Sequence, residues 1–147
     1  MNTNTPRNKE LITIRIIWFA LILGQVAFAV VIALMHQPSG PLVIEPAILI
    51  WVDLFLLLTE VPVAFVIRMM IFRRGTVDGA IRPAAFAMGN IVFWAGCEGV
   101  SFFGLIIIFL SGTWWPAIAI VGVALGLQVI TFPVGGRLDG AEDLATR

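Results

Sequence analysis

Ile91-Val92-Phe93-Trp94-Ala95-Gly96-Cys97-Glu98-Gly99-Val100-Ser101-Phe102-Phe103-Gly104-Leu105-Ile106-Ile107-Ile108-Phe109-Leu110 is a run of apolar and small residues broken by one charge, Glu98. Its length matches the roughly 20 residues that a helix needs to cross a bilayer core. Upstream it extends to about Ala84, and three further runs resemble it, at about 11–35, 46–72 and 114–132. Local stop signals separate them: Gln37-Pro38-Ser39-Gly40-Pro41, Arg73-Arg74-Gly75, and Ser111-Gly112 before Pro116. The spacing predicts an all-α integral-membrane bundle of four helices in one domain, 11–133. Residues 1–10 and 134–147 would then form short cytoplasmic tails.

The composition agrees. Of 147 residues, 60% are apolar and 12% charged, whereas a soluble domain averages about 45–50% and 25%. Ala27-Phe28-Ala29 has the look of a signal-peptidase site. The first apolar run continues past it and exceeds a signal peptide's apolar region, so an uncleaved helix is expected.

Several functions drop out. His36 is the one histidine and Cys97 the one cysteine, which excludes a bis-histidine haem, an intrachain disulfide and a thiolate metal site. The net charge is zero and no basic tract occurs, so nucleic acid is not an expected partner. There is no phosphate loop, zincin motif or nucleophile elbow. Neither tail is long enough to bury a core of its own. No cofactor and no enzymatic activity are expected; the expected partners are the lipid bilayer and other membrane subunits or further copies of the chain.

Charge sets the orientation. Arg7, Lys9, Arg15, Arg68, Arg73, Arg74, Arg82, Arg137 and Arg147 fall in the tails, the middle loop or the helix ends beside them. By the positive-inside rule both termini are cytoplasmic, and the expected location is the bacterial inner membrane, crossed several times. Trp51, Trp114 and Trp115 mark the outer interface, where amphipathic rings are favoured.

A weak repeat with an offset of 75 lays Ile16-Ile17-Trp18-Phe19-Ala20 over Ile91-Val92-Phe93-Trp94-Ala95 and pairs Phe28 with Phe103. Two tandem helical hairpins, or four helices alike only through their apolar composition, both account for it.

Acids inside the spans are costly, at least ~2.5 kcal/mol for an ionised carboxylate at the bilayer centre, so each must be neutral, partnered or facing water. Glu60 and Glu98 occupy the middles of adjacent antiparallel helices, with no Lys, Arg or His at their depth. Around them the sequence places Gln25, Thr59, Asn90 and Ser101, with Asp53 two turns from Glu60 on the same face. These residues form either a proton or cation site at the midplane or a neutral polar clamp for helix packing. Pro62 frees the Leu58 carbonyl one turn from Glu60. Gly96, Gly99 and Gly104 on helix three and the Gly122/Gly126 pair on helix four are candidate helix-packing positions. Cys97 reads as a small apolar filler.

Glu98-Gly99-Val100-Ser101-Phe102-Phe103-Gly104-Leu105, following Arg82-Pro83, resembles the ion-carrying helix of rotary ATPase proteolipids. That resemblance implies that Glu98 binds and releases the proton and that Arg82-Pro83 belongs to a loop touching the rotor. Helix two lacks the proteolipid glycine ladder and helix four has no second acid. Over the full chain, Glu98-Gly99 with Phe102-Phe103-Gly104, Ser111-Gly112 and Phe132-Pro133 resemble small bacterial four-helix membrane proteins of unassigned function. This second resemblance implies a fold and no mechanism. The leading expectation is a non-enzymatic subunit or assembly factor of a larger inner-membrane complex. The alternative is a proteolipid-like or channel subunit that moves protons or cations through Glu98 and Glu60.

Overall fold

The computed structural model describes residues 6–35, 46–77 and 79–134. His36, the proline-rich loop after it and the C-terminal tail lie outside the described residues. The chain is all-helical: α1 (Pro6–Met35), α2 (Pro46–Gly75), α3 (Pro83–Ser111) and α4 (Ala117–Ile130), with a short antiparallel hairpin, β1 (Thr76–Val77) and β2 (Ala80–Ile81), between α2 and α3. Three of the helices are long and apolar enough to cross a membrane.

Sequence chemistry explains the boundaries. α1, α2 and α3 each open on a proline, whose missing N–H costs nothing in a first helical turn. This carries α1 back to Pro6, into the segment read from sequence as tail. Arg73 and Arg74 occupy the last turn of α2, where cations oppose the carbonyl end of the helix dipole. α3 stops at Gly112, which adopts the left-handed conformation (φ 67°) and returns its N–H to Ile108 O at 2.9 Å.

α4 is shorter than the expected run 114–132. Pro116 caps its start, and Pro133 disfavours helical backbone at Phe132 before it. The remaining fourteen residues span about 21 Å.

α3 is the hub, and the other three helices all pack on it. Of its most apolar stretch 56% is buried, against 11% for α1 and 17% for α2. α2 runs antiparallel to α3, as the stacked rings of Phe72 and Phe86 (5.8 Å) and the edge-on pair Phe65 and Phe93 (6.1 Å) record. α1 runs parallel to α3, with Phe28 on Phe102 at 5.4 Å. That contact puts Phe28 of α1 level with Phe102 of α3; α4 packs extensively on α3, and α1 and α2 share no interface of comparable extent. One apolar cluster, including Ile14, Ala64, Phe72, Phe93 and Trp94, fills one half of the bundle. The other half is filled by Ile32, Leu105, Ile108, Ala117 and Val121.

This arrangement collects Lys9, Arg15, Arg68, Arg73, Arg74 and Arg82 at one end of the bundle. Trp51 and Trp115 are exposed toward the other.

Candidate functional site

The polar residues of the bundle interior follow one line on α3. Asn90, Trp94, Cys97, Ser101 and Gly104 recur at spacings of four and three, which keeps them on one stripe of a helix, and all five are buried. Each either carries a polar group or leaves room for one from another helix.

At Gly104 the acid is Asp53 of α2. A Cβ added there would sit 2.8 Å from Asp53 Oδ2, 2.7 Å from Val121 Cγ2 and 3.6 Å from the Ala117 carbonyl. α4 therefore closes over the α2–α3 seam at this depth and buries Asp53 completely. Neither carboxylate oxygen receives a hydrogen bond from the described residues. The Ser101 hydroxyl, one turn along α3, is buried in the same way without a partner.

Farther along, Gln25 of α1 donates from Nε2 to Oε1 of Gln128 of α4 at 2.8 Å, and both side chains are fully buried. Trp18 Nε1 donates to the Gln128 carbonyl at 2.9 Å. Trp94 Nε1 donates to Thr131 Oγ1 at 3.1 Å. Asn90 Nδ2 turns back to the Phe86 carbonyl of its own helix at 2.7 Å.

The two glutamates lie off this line. Glu60 is exposed; it crosses the α2–α3 interface, and a Cβ on Gly99 would sit 3.4 Å from its Oε1. It borders a groove of about 340 Å³ lined also by Val63, Ala64, Ile67, Val92 and Ala95. Glu98 is half-buried and lies about 100° around α3 from Gly99. That is the side on which Phe102 meets Phe28 of α1. The carboxylates thus share a depth and occupy opposite flanks of α3, where no hydrogen bond links them.

Asp53 and Glu60, two turns apart on one face of α2, differ in burial because α4 covers the Asp53 position alone. Thr59 is half-exposed and spends its hydroxyl on the Phe55 carbonyl at 2.7 Å. Of the seven polar candidates, then, Gln25, Asp53, Asn90 and Ser101 are interior, and Glu60, Glu98 and Thr59 are peripheral.

The candidate packing glycines divide similarly. Gly96 faces Ala64, to whose Cβ an added Cβ would approach within 2.9 Å, and Gly104 faces Asp53 and Val121. Gly122 and Gly126 have nothing within 4 Å of a would-be Cβ.

Gln128, Thr131 and the indoles of Trp18 and Trp94 were not among the residues picked out from sequence. Gln128 had a signal: it is the one strongly polar side chain in the α4 run. Among the described residues no three His, Cys, Asp or Glu side chains gather to hold a metal ion.

The chain matches no protein-family model, no curated protein and no solved structure. Both resemblances therefore rest on the residues quoted for them.

Proposed function

We propose that the chain is a non-enzymatic integral-membrane subunit or assembly factor of a larger complex in a bacterial inner membrane, with both termini on the cytoplasmic side. The observation that carries this reading is the open pair Gly122 and Gly126 on α4. Small residues four apart let two helix backbones approach closely, and in lipid such contacts drive helix association. Within the chain, Gly96 and Gly104 of α3 each admit a close neighbour, whereas among the described residues nothing comes within 4 Å of a Cβ at either α4 glycine. A second helix fits against this pair.

The orientation draws on the gathering of cations at one end of the bundle, as the positive-inside rule requires. The buried hydrogen bond between Gln25 and Gln128, with those from Trp18 to the Gln128 carbonyl and from Trp94 to Thr131, serves as a polar clamp that holds the helices in register.

The alternative, transport of protons or cations by Glu60 and Glu98, draws on the position of Glu60 in an open groove at mid-helix. A carrier pair sharing one proton needs its carboxyls in contact. Their placement on opposite flanks of α3 favours the subunit reading.

Purification in mild detergent, with identification of every copurifying chain, tests the proposal. A defined hetero-complex that dissociates in Gly122→Leu supports it. A lone monomer contradicts it, and a homo-oligomeric ring with proton flux supports the alternative.

A further inference from the structure

We infer that the cation-bearing end of α1 holds an anionic phospholipid, with the acyl chain in a cleft between α1 and the segment after α4 and the phosphate on Arg15. The inference rests on the membrane placement proposed above and adds a ligand to it.

The cleft measures about 470 Å³ and is lined by Ile12, Ile16, Phe19, Ala20 and Leu23 of α1, with Phe132 on its far side. Its walls are apolar almost throughout. From Ile12 to Leu23 it extends about 16 Å along the helix, close to half of the ~30 Å hydrocarbon thickness and so to the depth of one leaflet. The dimensions suit one acyl chain of the leaflet that the cationic end faces.

Arg15 lies at the mouth and is held in place. Its guanidinium stacks over the Phe132 ring at 5.6 Å, and its Nε donates to the Pro133 carbonyl at 3.4 Å. Phe132 is itself fixed edge-on against Trp18 at 4.9 Å and 82°. Held in this way, the side chain loses little freedom on meeting a ligand. It remains exposed, and the other guanidinium nitrogens can receive an anion.

Lys9 adds charge from the same side. It precedes Ile16 by seven residues, about 20° away around the helix, whereas Glu10 points away from the cleft. A planar guanidinium and an ammonium beside an acyl-length apolar slot match a phosphate headgroup on a lipid tail. A zwitterionic headgroup would bring a second cation beside both and gain less.

The full chain is reconstituted into nanodiscs of equal dioleoyl phosphatidylglycerol and dioleoyl phosphatidylcholine, released in mild detergent, and its retained lipid counted by native mass spectrometry. Wild type is expected to retain phosphatidylglycerol over phosphatidylcholine by roughly fivefold, the ratio set by one basic side chain near a membrane surface. Arg15→Gln should bring the ratio most of the way to that of the nanodisc, with Lys9 holding the remainder, and Arg15→Lys should keep most of it. Ala20→Trp, which fills the slot and leaves Arg15 intact, should reduce retention of both lipids. Equal retention by wild type, or a preference unchanged in Arg15→Gln, overturns the inference. Flotation with liposomes separates the two levels: a chain that does not float removes the membrane placement itself, whereas one that floats without lipid preference removes the lipid site alone.

Discussion

Gln25 in α1 and Gln128 in α4 share a hydrogen bond of 2.8 Å between fully buried amides, while Gln25 Oε1 and Gln128 Nε2 have no partner among the described residues. Each residue satisfies half of the other inside the bundle. Gln25→Leu should therefore lower the detergent melting temperature by more than the loss of one bond, because the whole Gln128 amide is then stranded, a cost of about 1–3 kcal/mol. Adding Gln128→Leu should recover part of the loss. The coupling from a double-mutant cycle is expected at about 0.6–1.7 kcal/mol. Strict additivity would show that the two amides do not act as a pair.

Gly104→Ala should destabilise the bundle by about 1–3 kcal/mol, since the new methyl must displace Asp53 or Val121. Asp53→Ala removes one of the obstructing groups, so it should lessen the effect of Gly104→Ala in the double variant. Thermal unfolding of the four proteins in one detergent checks this, and an unaltered midpoint for Gly104→Ala would mean that α2, α3 and α4 do not meet closely there.

Four helices are legible in this chain because bilayer-length apolar runs and proline boundaries are local signals. The inward faces are not, because each helix is apolar nearly all round and only neighbours decide what is covered. Asp53 and Glu60 illustrate the limit: helical spacing puts them on one face, and the position of α4 buries one alone. Glu98 looks central in sequence, yet the seam of α3 passes through Cys97 and Ser101 and leaves it at the edge. The β1–β2 hairpin did have a local signal, Asp78-Gly79 between β-forming residues, and Gly79 adopts a φ of 84°.

Glu60→Gln and Glu98→Gln should both assemble normally, since each keeps a hydrogen-bonding group of similar shape. In proteoliposomes carrying a pH-sensitive dye, the proton leak of either variant should equal that of wild type. A specific proton conductance in wild type that either substitution abolishes would favour the transport reading.

Orientation is testable by cysteine labelling with little background, because Cys97 is fully buried. Lys9→Cys and Thr76→Cys should react with an impermeant maleimide only from the cytoplasmic side, and Thr113→Cys only from the opposite side. Labelling of Lys9→Cys and Thr113→Cys from the same face would contradict two-sided placement of α1 and α3.

The most direct test of the subunit reading is the native mass of the assembly in mild detergent, for wild type and for Gly122→Leu/Gly126→Leu. Wild type should run as a defined hetero-complex, well above the 16.0 kDa of one chain. The double variant should release a folded chain, since a Cβ built at either glycine meets no atom of the described residues within 4 Å. A wild-type protein that migrates as a single copy, or a complex indifferent to both substitutions, would contradict the account.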